Sequence, residues 1–322
     1  TEENQKAYPQ NVAQKPGLGF PIARIAAIFS LSCGAVVDLA IGRYAGKGQG
    51  ESTLLRTLWD IFRPGDIVLT DALLCTWTEI QMLKERGIDF VGQLHVGRSA
   101  DFRHGKRLGK KDHLVRWSKP FVRWMDKQSR QALPDFLEVR ECSISIQQPG
   151  FRSDTIVVVT TLLDAEEFTK EDIAEIYFRR WNVELDLRNI KSVMQLDMLL
   201  CKTPELVRKE IWTHILAYNL IRTVIAQAAT RHVLHPRSIS FKGTIQMLEA
   251  FQQLIAFTDQ HHAAHRSNLY ENLLDAVASQ RVANRPGRFE PRRIKRRKRK
   301  YPRLTKPRRE TKLQILKGVK RN

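Results

Sequence analysis

Four side chains capable of ionic chemistry occur in one segment of the 322-residue chain, at positions that share one face of a helix. With a turn of 100° per residue, Tyr177, Arg180, Glu184 and Lys191 fall within a stripe about 60° wide. A stripe that combines an aromatic ring, a guanidinium, a carboxylate and an ammonium group is an unusual choice for a packing face. The alternative is an exposed helix face stabilised by intrahelical pairs such as Arg180 with Glu184.

The spacing of these residues is Tyr-x2-Arg-x3-Glu-x6-Lys, with Trp181 beside the arginine. It resembles the signature of bacterial insertion-sequence transposases of the DDE type, the insertion-sequence-four family. The run Gly65-Asp-Ile-Val-Leu-Thr-Asp71 resembles the strand that ends at the second catalytic aspartate of that family. The long interval from Asp71 to Glu184 resembles its ribonuclease-H-like fold, which a mostly β insertion interrupts.

The resemblance implies a DNA transposase that cuts DNA ends and transfers them to a target, with double-stranded DNA as partner and a homodimer in the synaptic complex. It also implies a bacterial cytoplasmic protein associated with the nucleoid. Asp71 and Glu184 would be the catalytic carboxylates and would bind Mg²⁺ or Mn²⁺, whereas Tyr177, Arg180 and Lys191 would contact the DNA. Two such ions about 3.5–4 Å apart can activate a water or a 3′-hydroxyl and stabilise the leaving oxygen. The alternative for Asp71 is a turn or helix-capping role.

The first catalytic aspartate of the family belongs to a strand that would precede Thr1. The resemblance therefore predicts an N-terminally truncated transposase that lacks this strand and this carboxylate. Because hard cations are held by carboxylates from several elements, we expect impaired metal binding and strand transfer. The alternative is a catalytically inactive remnant that still binds DNA.

Positive charge is unevenly distributed along the chain. The formal net charge is +20, and residues Arg285–Asn322 hold eighteen Lys and Arg against two acids, a net +16. The preceding 284 residues have 36 basic and 32 acidic groups, so the folded part is nearly neutral. A surplus of this size favours a polyanionic partner, and nucleic acid is the first candidate.

Charged residues are dense between Gly97 and Arg152, and pairs of a basic and an aromatic residue such as Arg116-Trp117 and Arg123-Trp124 occur there. A base expelled from a duplex can stack on an aromatic ring while basic groups contact the phosphates. Trp117 and Trp124 are the candidates for that role. The alternative is ordinary packing inside a small β subdomain.

Apolar patterning predicts an α/β protein with a mixed sheet flanked by helices, and the resemblance implies that this sheet is ribonuclease-H-like. Ile22–Ser32 and Ala35–Tyr44 are interpreted as two strands that turn at Gly34, which explains this apolar stretch better than a membrane span. Residues 1–20 are expected to be irregular, and Thr169 with Asp172 predicts the N-cap of a long helix that ends near Val193. The four cysteines form no Cys-x-x-Cys and predict buried thiols in a reducing compartment.

Five regions follow from these patterns. They are a first part of the catalytic domain (1–96), a β-rich insertion (97–152), a second part with the Tyr-Arg-Glu-Lys helix (153–233), a helical C-terminal region (234–284) and a basic tail (285–322).

Overall fold

The computed structural model describes residues 1–146, 155–257, 263–282 and 306–317. Most of the predicted basic tail lies outside the described residues. The chain divides into two compact units. The first contains residues 1–59 and the described residues from 184 onwards, and the second contains the described residues from 60 to 183.

The second unit is built on a six-stranded mixed sheet in the order β3-β4-β8-β7-β6-β5. Its strands are β3 (Ile67–Thr70), β4 (Asp89–Gln93), β5 (Lys106–Gly109), β6 (Asp112–Ser118), β7 (Phe136–Ser145) and β8 (Thr155–Thr160). The pair β3–β4 is parallel, and every other pair is antiparallel. The mixed α/β architecture expected from the sequence is confirmed.

The strands of the predicted insertion continue this sheet. β7 pairs with β8 over six residues, from Arg140 opposite Thr160 to Ser145 opposite Thr155, and β6 pairs with the other edge of β7. The backbone of β7 is thereby paired on both sides from Arg140 to Cys142, where a free edge would leave it to solvent.

Three helices accompany the sheet: α3 (Trp77–Lys84), α4 (Lys127–Ala132) and α5 (Lys170–Arg179). α5 packs on β4, β7 and β8. It begins with the predicted capping box, in which Thr169 accepts from the Asp172 amide and the Asp172 carboxylate accepts from the Thr169 amide. The apolar face of α5 buries Ile173 and Tyr177 against the sheet.

The first unit contains a two-stranded antiparallel hairpin, β1 (Ala23–Phe29) and β2 (Val36–Arg43), as predicted. Gly34 supplies a left-handed residue in the turn, with φ +81°. The hairpin forms a sheet of its own instead of joining the mixed sheet.

The prediction that residues 1–20 are irregular is wrong for the start of the chain, because α1 spans Glu2–Ala7. Thr1 caps this helix by accepting from the Asn4 amide, and the Asn4 side chain donates to the carbonyl of Cys201 at 3.0 Å. A six-residue helix gives almost no periodic signal, and its stability comes from such caps and tertiary contacts.

The described residues contain six further α-helices, and a core of apolar residues joins three of them to the hairpin. They are α2 (Glu51–Arg56), α6 (Trp181–Arg188), α7 (Pro204–Arg231), α8 (Phe241–Phe257), α9 (Ala263–Ser279) and α10 (Arg308–Leu316), with 3-10 turns at Trp59–Ile61 and Pro236–Ser238 and a π-helical segment at Asn189–Val193. No helix in the described ranges is long and apolar enough to cross a membrane. Among the thiols, Cys75 and Cys142 are buried, and Cys33 and Cys201 are partly exposed.

Candidate active site

Asp71 lies directly after β3, at the carboxyl end of the parallel pair β3–β4. Its side chain is exposed, and Oδ1 accepts a hydrogen bond from the Leu73 amide at 2.9 Å. This contact is the turn role that the sequence offered as an alternative. It occupies one lone pair of one oxygen, so the carboxylate retains acceptor sites that can bind a cation.

Gln93 occupies the corresponding position on the neighbouring strand. The last pair between β3 and β4 is Thr70 with Gly92, and Asp71 and Gln93 follow these two residues on their own strands. The carboxyl ends of adjacent parallel strands are where α/β sheets place their ligand sites. Sequence reasoning missed Gln93, and only the strand register brings it beside Asp71.

Tyr177 reaches this edge of the sheet from α5. Its ring is 2% exposed, and its hydroxyl donates to Gln93 Oε1 at 3.2 Å. Burial raises the pKa of the phenol above its ordinary value; the positive charge of Arg180 opposes that shift, and the negative charge of Asp71 adds to it. Tyr177 is therefore a neutral hydroxyl within electrostatic reach of Asp71.

Arg180 stands between helices α5 and α6, where the amide of Arg180 bonds to the Tyr177 carbonyl in a tighter, three-residue turn. Its guanidinium carbon lies 5.6 Å from the centre of the Tyr177 ring and 5.1 Å from that of Trp181. Cation–π contacts of this length hold a planar guanidinium against aromatic faces. Asp71, Gln93, Tyr177 and Arg180 thus form one neighbourhood of the second unit.

Glu184 and Lys191 belong to the first unit, whose boundary falls after Val183 inside α6. Both side chains are exposed. Glu184 lies in the first turn of α6, and Lys191 lies in the π-helical segment that follows this helix. The predicted uninterrupted helix is therefore three consecutive pieces, and increments of 100° per residue no longer apply from Asn189 onwards. Single π turns of this kind recur at functional sites.

A buried carboxylate shares α6 with Glu184. Asp186 is 0% exposed and forms ion pairs with Arg222 and Arg237. Sequence reasoning missed this group, although Arg222 interrupts the otherwise apolar buried stripe of α7, which includes Ile215, Tyr218 and Ile225. A charged residue at a buried helical position requires a partner of opposite charge.

Trp117 and Trp124 occupy different environments in the second unit. Trp117 is 4% exposed, its indole Nε1 donates to Glu141 Oε1 at 2.8 Å, and the guanidinium of Arg98 lies 4.0 Å from its ring centre. These contacts are those of a packed residue, the alternative that the sequence left open. Trp124 is 51% exposed and presents its ring to solvent.

The donor chemistry suits a hard divalent cation, since Asp71 and Glu184 both offer exposed carboxylate oxygens. Within the described parts of the chain, no group of three or more His, Cys, Asp or Glu side chains is placed to hold a metal ion. Asp71 lies in the second unit and Glu184 in the first.

Known families give an independent comparison. The family model described as "Transposase DDE domain" matches residues 2–220, more than half of the chain. This match includes every carboxylate and cation discussed above as a candidate for the site.

Individual relatives agree with the family match. The chain is 26% identical over 310 residues to the transposase InsG of insertion sequence element IS4 from Escherichia coli strain K12, an alignment that covers 94% of this chain and 66% of that protein. It is 38% identical over 69 residues to the putative transposase InsL of IS186A and to the transposase of IS421, both from Escherichia coli; each match covers 21% of this chain and 19% of the relative. The chain thus spans slightly less than two thirds of the length of the IS4 relative.

Proposed function

This chain belongs to the transposase DDE domain family, and on that premise we propose that it acts in DNA transposition through metal-dependent cleavage and strand transfer of DNA ends. The observation that carries the proposal is the neighbourhood at the carboxyl end of β3 and β4. There a carboxylate, a neutral phenol and a guanidinium lie within reach of one another in the second unit. Carboxylate and guanidinium groups that lie near one another suit a phosphodiester and its metal ion.

Asp71 and Glu184 are the proposed metal ligands, with Mg²⁺ or Mn²⁺ as the ion. Both are exposed carboxylates on regular elements, one at a strand end and one in the first turn of a helix. When bound, such ions supply an activated oxygen nucleophile and stabilise the leaving oxygen. The family uses divalent ions; the choice of Mg²⁺ or Mn²⁺ belongs to this proposal.

The cationic residues have different tasks in this mechanism. Arg180, held against two aromatic rings, presents a preoriented fork for two phosphate oxygens, and Lys191 contributes a point charge. Both stabilise negative charge that develops on the phosphate during transfer. Tyr177 keeps its proton at neutral pH and donates it in a hydrogen bond to Gln93, so its hydroxyl oxygen is left to accept a hydrogen bond from a water beside the phosphate.

Double-stranded DNA is the proposed partner, and a second copy of the chain would complete the synaptic complex. The exposed ring of Trp124 is the proposed stacking surface for a base displaced near the cut.

The tail of residues 285–322, with its net charge of +16, is the proposed anchor on the phosphate backbone. The logarithm of DNA affinity falls linearly with the logarithm of salt concentration, with a slope of about −0.9 for each phosphate contact. Deleting the tail should therefore make this slope shallower.

A nicking assay on supercoiled plasmid tests the proposed activity. The chain is incubated with plasmid and either Mg²⁺, Mn²⁺ or a chelator, and DNA binding is measured in parallel by mobility shift. Nicking that requires the divalent ion supports the enzyme. Tight DNA binding without nicking in either ion would overturn it in favour of a non-catalytic DNA-binding protein.

A further inference from the structure

We propose that Asp186 is a positioning residue for Glu184, and that two buried arginines set the direction of the Glu184 carboxylate through it. The inference rests on the proposed function, in which Glu184 binds a divalent ion. It concerns only the first unit, where Asp186, Arg222 and Arg237 all lie.

Both oxygens of Asp186 are engaged. Oδ1 accepts a hydrogen bond from Arg222 Nη2, and Oδ2 accepts from Nη1 and Nη2 of Arg237, each at 3.1 Å. Asp186 is 0% exposed, and the Arg222 and Arg237 side chains are 6% and 12% exposed. Charge-assisted bonds to both oxygens of a carboxylate fix its position and its orientation.

The arginines are themselves held by the hairpin turn and α7. Arg222 Nε donates to the Tyr218 hydroxyl at 2.9 Å, which in turn donates to the Gly34 carbonyl at 2.7 Å. Arg237 donates from Nε to the Leu31 carbonyl and from Nη2 to the Ser30 carbonyl. The network therefore ties α6 to two separate parts of the first unit.

Asp186 controls Glu184 because both belong to one short helix. Residues two apart in an α-helix point about 200° away from each other, so burial of Asp186 directs Glu184 outward. Ile190, four residues after Asp186, is 3% exposed and packs in the same core. Burial of Asp186 thus fixes the rotation of α6 about its axis, and Ile190 holds the π-helical segment that follows this helix.

The ion pairs of Asp186 restrict the position of α6 more than an apolar contact would. Replacing a buried ion pair by apolar residues often costs no stability, so such pairs are weak evidence for a purely stabilising role. Apolar packing tolerates small sliding and rotation, whereas hydrogen bonds from two arginines to the two oxygens of Asp186 favour one arrangement. A metal ligand needs a fixed position and orientation, since residues that orient a ligand typically contribute 10–100-fold to metal affinity.

The test compares Mn²⁺ affinity, measured by electron paramagnetic resonance of the free ion, across variants of the whole chain. Asp186→Asn should weaken Mn²⁺ binding about 10–100-fold, while duplex DNA affinity stays unchanged. Arg237→Gln, which leaves the pair of Arg222 with Asp186, should weaken it less, and Arg237→Lys should recover part of the loss. Glu184→Gln sets the level expected when the ligand itself is removed.

Asp112→Asn is the matched control. Asp112 is 4% exposed, and Arg140 bonds to both of its oxygens at 2.9 and 2.7 Å, so breaking this pair should destabilise the fold in a comparable way. It lies on β6, four strands from β3 in the sheet order, and it should leave Mn²⁺ affinity unchanged. If Asp186→Asn does not fold, the two Arg237 variants provide the same comparison.

The outcomes separate the inference from the proposed function. Reduced Mn²⁺ affinity in Glu184→Gln together with wild-type affinity in Asp186→Asn and Arg237→Gln would overturn the positioning role alone. An equal loss in Asp112→Asn would also overturn it, because the effect would then be general destabilisation. Unchanged affinity in Glu184→Gln would instead contradict the metal site itself.

Discussion

Tyr177 donates its hydroxyl hydrogen to Gln93, which joins helix α5 to the carboxyl end of strand β4. Gln93 follows the last residue paired with β3, and Asp71 occupies the equivalent place on that strand. One hydrogen bond therefore links Tyr177 of α5 to the strand end that neighbours the end carrying the proposed metal ligand.

Tyr177→Phe tests this link. The ring is buried, so the fold should persist, and the free energy of unfolding in urea should fall by about 0.5–1.5 kcal/mol because the Gln93 amide oxygen loses its donor. Nicking should fall further than stability explains, since the hydroxyl would also be lost at the phosphate. Tyr270→Phe, which removes an exposed hydroxyl bonded to Gln227, is the control and should leave nicking unchanged. Equal nicking by both variants would contradict the role of the Tyr177 hydroxyl.

Arg180 and Lys191 should respond differently to exchange of one cation for the other. Arg180→Lys keeps the charge but loses the planar fork, so nicking should fall at least tenfold, about 1.4 kcal/mol in the barrier. Lys191→Arg should retain most of the activity, because a point charge is replaced by another cation. Near-wild-type rates for both variants would indicate an exposed helix face, where such pairs contribute only about 0.2–0.5 kcal/mol.

Gly34 is predicted to be intolerant of a side chain for two reasons. Its φ is +81°, and a Cβ would lie 3.0 Å from Arg222 Cζ. Gly65 has φ +91° but no atom within 4 Å of a Cβ, so Gly65→Ala measures the backbone strain alone, about 1–2 kcal/mol. Gly34→Ala should lower the free energy of unfolding by more than Gly65→Ala. Equal losses would show that the contact with Arg222 adjusts without strain.

The pair of Asp112 with Arg140 predicts a dependence of stability on pH. Burial raises the pKa of Asp112, but hydrogen bonds from Arg140 and Cys142 outweigh it and hold the pKa below its ordinary value. A carboxyl group with a lowered pKa in the folded state stabilises the protein above its unfolded pKa of about 3.9, and this stability is lost as the pH falls through the folded pKa. Asp112→Asn should therefore cost about 3–5 kcal/mol at pH 7. The difference in the free energy of unfolding between wild type and variant, measured in denaturant, should become smaller towards pH 3. A difference that stays constant with pH would contradict the ion pair.

Sequence reasoning succeeds where local patterns carry the information. The apolar runs around Gly34 give the hairpin, and the Thr169 and Asp172 pair gives the start of α5, because strand alternation and helix capping depend on neighbouring residues. The same is true of the Ile67–Thr70 strand, which places Asp71 at its end.

What sequence reasoning missed depends on contacts between distant residues. α1 is held by Cys201, Gln93 reaches Asp71 through strand register, and Asp186 is buried only because Arg222 and Arg237 face it. The tighter turn at Arg180 and the π-helical segment change the rotation along the helix, and the residue types in that segment predict neither feature. Such arrangements follow from tertiary packing, which overrides local preference.

The most direct test of the account is Glu184→Gln in the Mn²⁺-dependent plasmid nicking assay. This exchange keeps size and hydrogen bonding but removes the charge that binds the ion, so nicking should fall by orders of magnitude while duplex DNA affinity stays near wild type. Glu175→Gln, at an exposed position paired with Arg179 on α5, is the matched control and should nick normally. Nicking by Glu184→Gln at the rate of Glu175→Gln would contradict the assignment of Glu184 as a metal ligand.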